Sequence, residues 1–105
     1  MGDTNYISSI VKILETPNQK ISKNNIAITK FRVQLPQNRK VGIIHLIFWG
    51  NLAHDVNNYY KINDYIIIEG YLSFNKINRS KINQKLKKVE ITVFKIYPFR
   101  LNSNS

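Results

Sequence analysis

The side chains with chemistry to offer in this 105-residue chain are cations and flat rings. Lys30 and Arg32 alternate along one short segment, and Arg39 and Lys40 follow it. Lys76, Arg79, Lys81, Lys85, Lys87 and Lys88 crowd the stretch 75–88, which holds no acid. Trp49, the single tryptophan, closes a hydrophobic run that also contains His45, and Tyr71 lies in a second such run. Sixteen Lys and Arg against six Asp and Glu give a formal net charge of +10, which for so short a chain implies an anionic partner or surface. The skew towards Ile, Asn and Lys also fits AT-rich codons, so solvated lysine is the competing account of the charge. Clustering of the cations favours the functional one.

Catalysis finds little support. Asp3, Glu15, Asp55, Asp64, Glu69 and Glu90 are scattered without a useful pairing, and His45 and His54 match no metal-ligand spacing. There is no cysteine and no phosphate-binding glycine loop. Neither an enzyme nor a metal or other cofactor is expected. No run of about 18 apolar residues suggests a membrane helix, and the first residues have neither the order of a secretory signal nor the Arg-rich pattern of a transit peptide. The expected location is the compartment of synthesis, cytoplasmic or organellar, and not secretion.

The elements that must position these residues read as follows. Asn5 to Leu14 alternates weakly, with Ser8-Ser9 suggesting a bulge. Thr16-Pro17-Asn18 breaks that strand, and Lys20 to Asn25 reads as a polar turn in which Asn24-Asn25 can take left-handed geometry. From Ala27 to Leu35 alternation is clear, with Ala27, Thr29, Phe31, Val33 and Leu35 inward and Ile28, Lys30, Arg32 and Gln34 outward. In the run Ile43 to Trp49, Ile44, Leu46 and Phe48 form the core set, and Ile43, His45, Ile47 and Trp49 share the other face. Asn51 to Tyr60 spaces Leu52, Val56 and Tyr59 or Tyr60 as a helix, with Asn51 as N-cap and Asp55 near the positive end of the dipole. Tyr59 and Tyr60 are expected to pack on the sheet. Tyr65 to Phe74 is a strand with Gly70 at a bend or bulge, 75–88 a long basic hairpin arm, and Val89 to Tyr97 the last strand. Phe74 and Phe94 are expected in the core.

Five strands with one helix between the third and fourth suit an all-β, partly closed barrel, because an open sheet of this size would leave long edges exposed. Residues 1–100 form one domain, and 101–105 a polar tail.

The order of motifs resembles a known family. Phe48-Trp49-Gly50-Asn51-Leu52-Ala53 is similar to the aromatic-Gly-Lys-Leu-Ala signature of bacterial and organellar single-stranded DNA-binding proteins (SSBs). Ile62 to Leu72, ending Ile-Ile-Ile-Glu-Gly-Tyr-Leu, resembles that family's next strand, and Ala27–Val33 and Val89–Val93 its second and last. The resemblance spans roughly residues 5 to 97. With the codon skew, it fits a plastid-encoded member from an alga, acting in the organelle.

What the resemblance implies is an oligonucleotide/oligosaccharide-binding (OB) barrel with five strands, one helix between strands three and four, and a long basic hairpin between strands four and five. It implies binding of single-stranded DNA, as a homo-tetramer or dimer. Single strands are held by cations on phosphates and by rings on which bases stack. The candidates are Trp49, Tyr71 and His45 for stacking and Lys30, Arg32, Arg39, Lys40, Lys76, Arg79, Lys81 and Lys85 for phosphates, with Lys20 and Lys23 able to add to them. Trp49 also fits a core or subunit-contact aromatic, Tyr71 a subunit contact, and His45 a neutral strand residue. Ile43 and Ile77 stand where many relatives carry stacking aromatics, and the chain ends Leu-Asn-Ser-Asn-Ser instead of in an acidic recruiting tail. RNA binding by the same platform, or a non-catalytic OB subunit of a replication complex, are the alternatives.

Overall fold

The structure, a computed structural model, describes residues 5–35, 43–76 and 87–99, with backbone alone at 74–76 and 87–88. Its elements in order are β1 (Tyr6–Ile13), β2 (Asn18–Ile21), β3 (Ala27–Gln34), β4 (Ile44–Trp49), α1 (Asn51–Tyr59), β5 (Tyr65–Lys76) and β6 (Lys87–Pro98). The strands hydrogen-bond in the order β1-β5-β6-β4-β3-β2, and β1 also pairs with β3. The pairs Lys12–Gln34 and Ile13–Val33 thereby close a five-stranded ring, to which β2 is attached outside along β3. All pairings are antiparallel except β4 with β6. This is the expected OB barrel, with the helix between the third and fourth strands of the ring.

Alternating apolar residues make the ring close. Ala27, Phe31 and Val33 of β3 face Ile44, Leu46 and Phe48 of β4, Ile66 and Ile68 of β5, and Ile91 and Val93 of β6 across one core. Phe31 and Phe48 stack at 5.4 Å between ring centroids. Their burial, at about 1.5–3 kcal/mol for each large apolar side chain, drives the closure. Val11 and Ile13 add the β1 side. The β1 register runs unbroken from Tyr6–Tyr71 to Lys12–Tyr65, so Ser8-Ser9 forms no bulge. The irregularity lies at Glu69/Gly70 against β6, as the glycine suggested. A Cβ on Gly70 would stand 2.3 Å from the Thr92 carbonyl oxygen, so the two strands approach there as only glycine allows.

Helix α1 covers one end of the barrel with Ala53 and Val56 fully buried. Its N-cap is Gly50, at φ +66°, and not Asn51, and its first turn holds no acid because Asp55 falls in the second. Gly50 N–H donates to Ala27 O (2.8 Å), while its own carbonyl accepts from Ala53 (3.0 Å). The chain thus turns from strand to helix on the residue that tolerates left-handed geometry. Buried Thr29 Oγ1 donates to Ala53 O (2.9 Å), fastening the helix to β3. Tyr60 packs on the core, but Tyr59 is exposed, because it falls on the solvent side of the last turn. None of the described helices is long and apolar enough to cross a membrane.

Two further expectations are corrected. Lys20 and Ile21 belong to strand β2, and the turn is Ser22–Ile26, with Asn25 left-handed at φ +66°. Ser22 Oγ accepts from the N–H groups of Asn24 and Ile26 (both 3.2 Å), which supplies the turn with acceptors and lets the strand run on. Phe94 is on the outside at 39% exposure. Ile91 and Val93 point inward, so strict alternation sends Phe94 out.

Candidate nucleic-acid interface

Direct pairing between strands fixes which side chains share rows on the barrel's outer face. One row joins Lys20 of β2, Ile28 of β3 and Trp49 of β4. The next joins Asn18, Lys30, Ile47, Thr92, Tyr71 and Tyr6, one residue from each of the six strands. A third joins Arg32, His45, Glu90 and Ser73. The sequence-predicted Trp49, Tyr71, His45, Lys30 and Arg32 therefore all belong to one continuous surface, in adjacent rows.

Their settings differ. Trp49 is 48% exposed and Lys30 is exposed two residues from Trp49's partner Ile28, so a ring and a cation are diagonal neighbours on one face. Ile47, at 9% exposure, is covered on this face between Lys30 and Thr92, unlike exposed Ile43. His45 is half-buried. Arg32 has a carboxylate partner. Its Nε donates to Glu15 Oε1 (3.0 Å) and its backbone N–H to Glu15 Oε2 (2.9 Å). An anion approaching Arg32 therefore meets a charge already paired.

Tyr71 belongs to an aromatic cluster. Its ring centroid lies 5.1 Å from that of Phe94 and 6.3 Å from that of Tyr6, and Tyr6 lies 6.0 Å from Phe94. Tyr6 Oη donates to Glu69 Oε1 (2.9 Å), and this hydrogen bond is the main cause that raises the Tyr6 pKa, with desolvation and the Glu69 charge adding to it. Burial raises that of Tyr60, to which the charges of Asp64 and Asp55 contribute.

Arg39, Lys40, Arg79, Lys81 and Lys85 lie outside the described residues, as do Ile77 and the tail. At Lys76 the backbone pairs with Lys87, so β5 and β6 converge as the two arms of the expected hairpin. Among the described residues no group of three or more His, Asp or Glu could hold a metal ion.

Sequence reasoning missed Asn18, Ser22, Tyr6, Phe94 and the role of Glu15. The alternation Asn18-x-Lys20 was a usable strand signal, obscured by the preceding Pro17. Nothing local marks Glu15 as the partner of Arg32, since they meet only through the ladder.

Residues 5–99 match the single-strand binding protein family. The ycf41 protein of Trieres chinensis, named a candidate single-stranded DNA-binding protein, is 43% identical over 104 residues, covering 94% of this chain and 92% of its own. The thylakoid-associated single-stranded DNA-binding protein slr1034 of a Synechocystis strain is 31% identical over 80% of this chain and 67% of its own. In fold, the small single-stranded DNA-binding protein of Streptomyces coelicolor superposes with a TM-score of 0.75 at 14% identity, covering 94% of this chain and 96% of that one. With the family match spanning residues 5–99 and a relative 43% identical along nearly the whole chain, the chain belongs to the single-strand binding protein family.

Proposed function

We propose that this protein binds single-stranded DNA without sequence selectivity and without catalysis, bases stacking on Trp49 while cations of the outer face neutralise phosphates. The observation that carries the reading is the half-exposed Trp49 ring beside Ile28 and Lys30 on the outer face of β3 and β4, the usual ligand side of an OB barrel. The names of its relatives support the choice of ligand. Stacking supplies roughly 1–3 kcal/mol per base, so one tryptophan does not give tight binding alone. Charge leads. About five neutralised phosphates, at a slope of about −0.7 each, imply roughly a hundredfold loss of affinity from 50 to 200 mM salt.

The aromatic cluster favours a second element of the same proposal, a homo-oligomer, dimer or tetramer, joined through this part of the sheet. Tyr6, Tyr71 and Phe94 continue into Ile10, Ile67 and Tyr97, a row paired across β1, β5 and β6. A plastid location accords with the codon skew.

The test is a fluorescence titration with oligo-dT, matched oligo-rU and duplex DNA at two salt concentrations. Trp49 is the sole tryptophan, so quenching reports one position. Salt-sensitive quenching by oligo-dT in preference to duplex is expected. An equal response to oligo-rU would make it a general single-strand binder, and no binding by fluorescence or anisotropy would overturn the reading.

A further inference from the structure

Beside Trp49, away from the aromatic cluster, β2 and β3 enclose a groove of about 270 Å³ lined by Asn18, Lys20, Ile21, Ser22, Ile28 and Lys30. Its floor is Ile28, which pairs directly with both Trp49 and Lys20. Lys30 pairs with Asn18, so Lys20 and Lys30 are diagonal neighbours on one face. Diagonal neighbours stand about 7–8 Å apart, with their Cβ atoms somewhat closer, a span across which two lysine side chains can converge on one anion. Among the described residues no acid lines the groove. Neither lysine has an acidic partner among the described residues, so an anion seated between them would meet two available cations. The polar rim adds hydrogen-bonding capacity. Ser22 Oγ already accepts from two backbone N–H groups, which leaves its own proton to donate, and the Asn18 amide offers both a donor and an acceptor.

We propose that this groove seats one nucleotide of a bound single strand, its phosphate shared by Lys20 and Lys30 and its sugar or base resting on Ile28, next to the base stacked on Trp49. This rests on the function proposed above. It adds that the strand crosses from β4 over β3 to β2, instead of running only along β3 and β4. The volume of about 270 Å³ lies just below the range of small-ligand pockets, roughly 300–1,000 Å³, which suits a single nucleotide unit.

The test compares the full-length protein with Lys20→Gln, Lys30→Gln, the double variant and Lys61→Gln, in oligo-dT titrations over a salt series, with far-UV circular dichroism as the check on folding. Lys61 is another exposed lysine, in the α1–β5 turn beside the end of β1, and does not line the groove. A single shared phosphate predicts that the double variant loses about 0.7 of the salt slope and about fivefold of affinity at 0.1 M salt. Each single variant loses part of this, and Lys61→Gln leaves the slope unchanged. A double variant with the wild-type slope overturns the proposal, as does a loss near 1.4, which means two separate phosphates. If the wild-type protein itself fails to bind oligo-dT, it is the parent reading that falls, and the seat with it.

Discussion

The pairing of Arg32 with Glu15 makes a sharp functional prediction. Glu15→Gln is the perturbation of choice because it removes the charge and keeps an acceptor for the Arg32 backbone N–H, now bonded at 2.9 Å. The two side chains are 45% and 38% exposed, so solvent screens the pair and its loss costs under about 1 kcal/mol of stability. Binding should respond more. Glu15 holds the Arg32 Nε at 3.0 Å, and a phosphate reaching Arg32 must displace or share that carboxylate. Releasing one cation adds one phosphate contact, steepening the salt slope by about 0.7. Affinity for oligo-dT should then rise about eightfold at 50 mM salt and only about threefold at 200 mM. The assay is the Trp49 fluorescence titration at those concentrations, repeated with Arg32→Gln alone and in the Glu15→Gln background. Arg32→Gln should cost little where Glu15 is present and should cancel the gain where it is absent. A Glu15→Gln protein with the wild-type slope would refute the reasoning, because Arg32 would then lie off the path of the phosphates.

Three further outcomes follow from the geometry. Gly70→Ala places a methyl 2.3 Å from Thr92 O and 2.8 Å from Ile91 Cγ2, so β5 and β6 must part locally; by the scale of overpacked sites and lost ladder bonds, urea unfolding should show a loss of about 2–4 kcal/mol, and a loss under about 1 would mean the bulge absorbs the methyl. Thr29→Val keeps the shape and removes the 2.9 Å bond to Ala53 O, for an expected loss of about 1 kcal/mol in the same assay, with no change in salt slope. For Tyr6, the raised pKa means that the folded state holds the phenol proton more tightly than the unfolded chain does. Its stabilising contribution is then complete below the unfolded value of about 10 and is lost as pH rises through the higher folded value. The difference in stability between wild type and Tyr6→Phe should therefore be constant at neutral pH and shrink above about pH 10, whereas a difference independent of pH would exclude the Glu69 bond as its source.

Much of the architecture was legible along the chain because it rests on local period. The clean alternation of Ala27 to Leu35 and of Ile44 to Phe48 decides which side chains enter the core, and the spacing of Leu52, Val56 and Tyr60 decides the helix. Gly70 announced the irregularity at Glu69/Gly70, since only a residue without Cβ lets β5 and β6 approach so closely. The charge of +10 and the Phe48-Trp49-Gly50 signature indicated an anionic single-strand ligand and the family. Local signals also misled. Pro17 masked β2, Ser8-Ser9 suggested a bulge that unbroken pairing to β5 removes, and Asn51 resembled a cap although Gly50 has the geometry for the turn.

Only the tertiary structure decided which residues meet. The closing of β1 on β3 brings Glu15 to Arg32 from 17 residues away and turns a presumed phosphate ligand into a paired charge. The outer face of β1, β5 and β6 gathers Tyr6, Tyr71 and Phe94, far apart in sequence, into one cluster, and pairing of β2 with β3 sets Lys20 diagonal to Lys30 beside Trp49. The physical reason is the same in each case. Period determines the face a side chain occupies, but its neighbours across the sheet depend on strand order and register, and these are set by closure of the ring around Phe31, Phe48 and their partners.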